Sequence, residues 1–185
     1  MKILAISGSA RRLSTNTALL RALQAIAPDD IVVEVYDGIG DLPVFSPDRE
    51  GADLPPGVRQ FQRVIADCDG LILSSPEYVR GIPGGLKNAI DWLVSGDQVV
   101  GKPIALVHAS HRGDDMLAAL RTVLSTISAN FTESLFFRLP VMKETPEAIL
   151  QRLIGDPGVA QKFLQDFAHF CREGANKRLS QAPLS

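Results

Sequence analysis

The chain has 185 residues, 45% of them hydrophobic, which makes one domain with enough interior for a proper core. A formal net charge of −2 excludes a strongly basic nucleic-acid binder and is too small for the acidic surface of an electron shuttle. Cys68 and Cys171 fit no metal or C-x-x-C spacing, and no apolar run reaches about 18 residues. Membrane spans and secretion are therefore disfavoured, and the cytoplasm is the expected compartment.

Lys2-Ile-Leu-Ala-Ile6 predicts a short buried strand opening into Ser7-Gly8-Ser9. Thr15 to Ala27 follows with helical composition, its Leu19, Leu20, Leu23 and Ile26 at spacings of three and four. Ile31 to Tyr36 is a β-branched second strand, and a long Gly/Pro/Asp loop leads to a helix near Val58 to Asp67. Gly70 to Ser75 is a third strand, followed by a Pro- and Gly-rich loop to Gly85 and a helix through Leu86 to Val94. Ile104 to Ala109 is a fourth strand, Met116 to Ser128 a helix and Ser134 to Leu139 a fifth strand. Pro157 opens a last helix with Val159, Phe163, Phe167 and Phe170 as its apolar stripe. This alternation predicts a flavodoxin-like α/β three-layer sandwich: a five-stranded parallel sheet in the order 2-1-3-4-5 with helices on both faces. A single domain is expected over residues 1–179, with a loose tail over 180–185.

The loop after the first strand carries the most chemistry. It holds four hydroxyls (Ser7, Ser9, Ser14, Thr17), two guanidinium groups (Arg11, Arg12) and the amide of Asn16. A helix N-terminus offers unpaired N–H groups and a positive dipole end, so hydroxyls and an arginine added there make a phosphate cup. The same segment would also serve as an ordinary strand–loop–helix capped by Ser14 or Thr15, but a cap needs one hydroxyl rather than four. Leu13 stands where a Walker loop needs its second glycine, and Ala10 and Leu13 break the dinucleotide pattern. A hydroxyl loop suits a terminal monophosphate, such as that of FMN, which flavodoxin-type sheets bind at their switch point.

Ligands of parallel sheets sit beyond the carboxyl ends of the strands, so two further loops matter: Ser75 to Gly85, with Tyr78 and its prolines and glycines, and Ser110 to Asp115. Tyr78 reads either as the support of a flat ring or as a packing aromatic in a turn. His108 lies inside an apolar strand and is expected in the core. His111 falls in a ligand-facing loop as a possible flavin or substrate neighbour. Arg112 either stands beside a flavin or is a solvated loop arginine. Lys87, Asn88 and Asp91 read as helix surface, and Trp92 as core or subunit contact.

Gly8-Ser-Ala-Arg-Arg-Leu-Ser-Thr-Asn16, together with Pro76-Glu-Tyr-Val-Arg-Gly-Ile-Pro-Gly-Gly-Leu-Lys-Asn-Ala-Ile-Asp-Trp92, resembles the NADPH-dependent FMN reductase family of quinone, azo-dye and chromate reductases. The resemblance runs from the first strand to about the fifth and includes Gly101-Lys-Pro103. It implies Ser9, Arg11, Ser14, Asn16 and Thr17 around the FMN phosphate. Pro76, Glu77 and Tyr78 would lie along the ribityl chain and ring edge, and Ser110, His111, Arg112 and Gly113 at the pyrimidine end. Val79 replaces the family's usual asparagine, so one polar contact to the flavin is either absent or made by backbone. Asp114-Asp115 stands where a glycine pair is usual, and these acids are expected to point outward at the start of the following helix.

The activity so implied is an oxidoreductase in which NADPH or NADH reduces bound FMN, with electrons passing by a ping-pong route to a small quinone-like, azo or other acceptor. No protein side chain is expected to be catalytic and no metal is implied. Neither nucleic acid nor membrane is an expected partner, and the resemblance implies a homodimer or homotetramer. Three other readings stay open: an electron-carrier flavodoxin-like protein, a reductase releasing reduced FMN to a monooxygenase, and a flavin-free module of the same fold.

Overall fold

A computed structural model describes residues 1–181. Five strands, β1 (Lys2–Ser7), β2 (Val32–Tyr36), β3 (Gly70–Ser74), β4 (Ile104–His108) and β5 (Phe131–Arg138), form one parallel sheet in the order β2-β1-β3-β4-β5. This is the flavodoxin-like order anticipated from the alternation of elements. β1, β3 and β4 have helices on both faces and so consist almost wholly of buried apolar residues.

Side chains alternate across the sheet, and this divides the core in two. Ile3, Ala5, Ile72, Ala105 and Val107 face α1 (Thr15–Ala25), α5 (Pro146–Gly155) and α6 (Gly158–Gln181). Leu4, Ile6, Leu71, Leu73 and Leu106 face α2 (Pro56–Ala66), α3 (Gly84–Asp91) and α4 (Asp114–Ile127). On α6, Phe163 and Phe167 are buried as expected, but Val159 is 70% exposed. The helix meets the sheet closely at Gly70, where a Cβ would stand 2.5 Å from Cys171 Sγ. Cys68 and Cys171 are both buried thiols.

The chain departs from the predicted elements in identifiable places. α4 begins at Asp114 rather than Met116, because both acids belong to its first turn. β5 begins at Phe131, pairing with Ile104 before an irregularity shifts the register. α5, capped by Thr145 and opened by Pro146, was not anticipated. Asn88 is half-buried and tied to the long loop: its amide accepts from Phe45 N–H at 2.8 Å and donates to the Pro43 carbonyl at 3.0 Å. The buried Trp92 donates to the same carbonyl at 2.8 Å, so α3 anchors the long loop after β2. The tail expected from Ser180 falls on the last two residues of α6 and on positions 182–185, which lie outside the described residues.

Candidate functional site

The chain leaves β1 to one side to reach β2 and crosses to the other side to reach β3, so the crevice opens where the ends of β1 and β3 part. Gly8 N–H donates to the Ser74 carbonyl at 2.7 Å at this point. A Cβ on Gly8 would come within 2.7 Å of Ser75 Oγ, so only glycine lets the two loops cross this closely.

The β1–α1 loop is tied by its own hydroxyls. Ser9 Oγ accepts from Arg11 N–H at 3.2 Å, and Ser14 Oγ caps α1 by accepting from Thr17 N–H at 3.4 Å. Ser7 and Thr17 hydroxyls bond one another at 2.7 Å, and Asn16 Oδ1 accepts from Ser74 Oγ at 2.9 Å. These contacts occupy acceptors. Among the described residues, the hydroxyl protons of Ser9 and Ser14 and the NH₂ of Asn16 have no internal acceptor. The N–H groups of Thr15 and Asn16 at the start of α1 join them, with no acidic residue in that turn to compete. Arg11 stands exposed beside them, with no ion pair among the described residues. A set of donors lacking acceptors fits an anion, and the terminal phosphate of FMN has the required oxygens.

Next to this cup lies a cleft of about 280 Å³ bounded by Thr15, Asn16, Pro76, Glu77, His108, Ser110, Arg112, Gly113 and Met142. A second depression of about 450 Å³ adjoins it through Thr15 and Met142 and reaches Arg11, Ser14 and Lys143. Glu77 has a structural task here. Its Oε2 accepts from Met116 N–H at 3.0 Å, capping α4, whose own N-cap residue is the side-chain-less Gly113. Arg80 reaches from the β3 loop to Asp115 at 2.6 Å, and Arg138 of β5 pairs with Asp114. Asp114 and Asp115 therefore face cations outside the cleft. The Arg138 guanidinium holds the Asp114 carboxyl below the usual carboxylate range.

His108 ends β4 with 1% of its surface exposed, and burial pushes its pKa below the ordinary histidine range despite the Arg112 carbonyl bonded to Nε2. The Arg112 carbonyl requires a donor at Nε2, and burial disfavours the charged form of the ring.

The structure gathers most of the sequence-predicted residues around one crevice but gives them different positions. Ser9, Arg11, Ser14 and Asn16 border the cup; Thr17 is buried beneath it, its hydroxyl bonded to Ser7. Pro76, Glu77, Ser110, Arg112 and Gly113 border the cleft. Tyr78 is 51% exposed at the base of a tight turn, Val79 is fully exposed at its tip, and His111 is exposed outside the cleft wall. Thr15, His108, Met142 and Lys143 were not anticipated at the site. The signal available for the last two was Thr145-Pro146, a helix start that brings the preceding loop to the crevice.

Comparison with known proteins identifies the family. The family model for NADPH-dependent FMN reductases matches residues 1–140. A 2-hydroxy-1,4-benzoquinone reductase from Burkholderia sp. is 44% identical over 113 residues, 60% of this chain and 61% of that protein. A quinone reductase from Escherichia coli (strain K12) is 34% identical over 116 residues, 61% of each. The chain thus spans about three-fifths of the length of these curated relatives. A quinone reductase from Pseudomonas putida KT2440 is 32% identical over 151 residues, 78% of this chain and 75% of that protein. Among solved structures, FerB, a flavoenzyme NAD(P)H:(acceptor) oxidoreductase from Paracoccus denitrificans, shares the fold with a TM-score of 0.72 at 24% identity. That match covers 94% of this chain and 98% of that one. The chain belongs to the NADPH-dependent FMN reductase family.

Proposed function

We propose that this protein is a NAD(P)H-dependent flavin reductase that holds FMN in the crevice and delivers electrons to a small quinone-like acceptor. The observation that carries this is the set of uncommitted donors on Ser9, Ser14 and Asn16 and on the N–H groups of Thr15 and Asn16, next to an open cleft at the ends of β3 and β4. FMN, when bound, supplies the hydride and electron chemistry. The chain's own residues bind and orient. Ser9, Arg11, Ser14 and Asn16 hold the phosphate. The 76–77 and 110–113 segments border the ring's place, and Arg112 sets a positive charge at its rim. No side chain here needs to move a proton in the reaction. One cleft serving donor and acceptor in turn implies ping-pong kinetics. Benzoquinone and quinone reduction by the relatives' names favour a flat, conjugated acceptor. The reading places the protein in the cytoplasm; among the described residues no helix is long and apolar enough to cross a membrane. We further propose that it works as a homodimer or homotetramer, as the family resemblance implies.

The test is an absorbance spectrum before and after anaerobic NADPH. Flavin bands near ~370 and ~450 nm that bleach on addition are expected for a nicotinamide-dependent flavoenzyme. Bands that persist with both NADPH and NADH would instead indicate an electron carrier. A colourless protein that takes up no added FMN would sink the reading.

A further inference from the structure

We propose that His108 is a positioning residue: its imidazole fixes the Arg112 peptide, and through it the place at which Arg112 meets a flavin ring in the cleft. This rests on the flavin reading above.

A core role alone does not account for the residue. β4 is otherwise Ile104-Ala-Leu-Val107, and a leucine at its end would fill space without bringing a polar ring out of water. The imidazole makes one specific contact, Nε2–H donating to the carbonyl of Arg112 four residues on. The N–H of the same residue donates to Ser110 Oγ at 3.0 Å, and that hydroxyl donates in turn to Met142 Sδ at 2.9 Å. The Arg112 backbone is held by both its N–H and its carbonyl, leaving its side chain exposed at the cleft.

Gly113 completes the arrangement. It stands at φ +101°, and a Cβ there would come within 2.8 Å of His108 Nε2, so ring and glycine fit as a pair. α4 starts at the next residue, tied to the β3 loop through Glu77. One buried ring thus sits where the end of β4, the Arg112 turn and the start of α4 meet. Its Nδ1 is buried and has no hydrogen-bond partner among the described residues, the one such side-chain atom on the cleft wall. The groups that face the ring are the Ser75 carbonyl from the β3 loop, Arg138 from β5 and Asp114 from α4.

The experiment compares the full-length parent with H108L and H108Q. Leucine fills the site without a donor, whereas the glutamine amide can reach the Arg112 carbonyl. Three quantities are read: amide hydrogen exchange over residues 110–116 without flavin, FMN affinity, and the reduction potential of bound FMN. In H108L, exchange at Arg112 to Met116 should quicken and FMN should bind about tenfold more weakly, with a shifted potential; H108Q should recover most of each. H108L that matches the parent in all three overturns the proposal and leaves the flavin reading intact. A parent protein that binds no FMN overturns both. Should H108L fail to fold, H108Q is compared with H108N, whose shorter amide stops short of the carbonyl; equal affinity and potential in those two overturns the proposal.

Discussion

Arg11 and Val79 stand out among the individual residues because each is exposed where a globular protein gives it nothing to pack against. For Arg11 the proposed partner is the FMN phosphate. A charged hydrogen bond is worth roughly 1.5–3 kcal/mol, so Arg11→Ala should weaken FMN binding by about one to two decades. Titration of FMN into the apo-protein, followed by fluorescence, measures this; unchanged affinity would place the phosphate elsewhere. Val79 poses a backbone question. Tyr78 and Gly81 exchange both backbone hydrogen bonds, at 3.2 and 3.0 Å, and the two residues between them have φ of +51° and +59°. Such turns normally take Asn or Gly, and a β-branched residue there is strained by about 1–2 kcal/mol. The side chain is fully exposed, so replacing it forfeits no packing. Val79→Asn, the residue usual in the family, should therefore raise stability by about 1 kcal/mol and the melting temperature by about 2–4 °C. A calorimetric scan showing no gain would mean that the turn relaxes at no expense.

α4 shows how an element depends on a loop distant in sequence. Its N-cap is a left-handed glycine with no side chain to accept from the first turn, and Glu77 takes over that role from the β3 loop. Glu77→Ala should destabilise the fold by about 1 kcal/mol, and Glu77→Gln by less, since the amide oxygen still accepts but the charge opposing the helix dipole is gone. Urea unfolding of the three proteins checks the order. This contact was not legible in the sequence, because nothing local to Glu77 marks a partner 39 residues away. The strands and most helices were legible: buried parallel strands read as continuous apolar runs, and α1 shows its stripe in Leu19, Leu20 and Leu23. α5 was missed, although its Ile149, Leu150 and Leu153 stand at helical spacing behind the Thr145-Pro146 start, because only two of its ten residues are fully buried. With it went the loop that brings Met142 and Lys143 to the crevice. The donors proposed for the phosphate lie within one segment and could be read together, whereas the cleft wall is assembled from loops far apart in sequence.

Over the whole molecule, the sheet carries two apolar layers and confines its buried polar side chains largely to one end, where Ser7, Ser74, Ser75 and His108 terminate β1, β3 and β4. His108 reads as core in the sequence because the last residue of a buried parallel strand is at once core and lip of the crevice. That dual position makes global stability depend on pH. Burial lowers the folded-state pKa of His108 below its unfolded value of about 6.5. Below that pH the unfolded chain takes up a proton that the folded chain refuses, so unfolding is favoured as pH falls. The stabilising contribution is complete above about pH 6.5 and is lost toward the depressed folded value, at up to about 1.4 kcal/mol per pH unit. Asp114, also depressed, acts in a separate window below about pH 4, where loss of its charge releases Arg138. Denaturant midpoints measured between about pH 7.5 and 5 should therefore fall for the parent protein and stay nearly level for His108→Gln, which has no proton to gain there. A parental midpoint as level as that of the variant would show that the ring is protonated as readily in the folded chain as in the unfolded one.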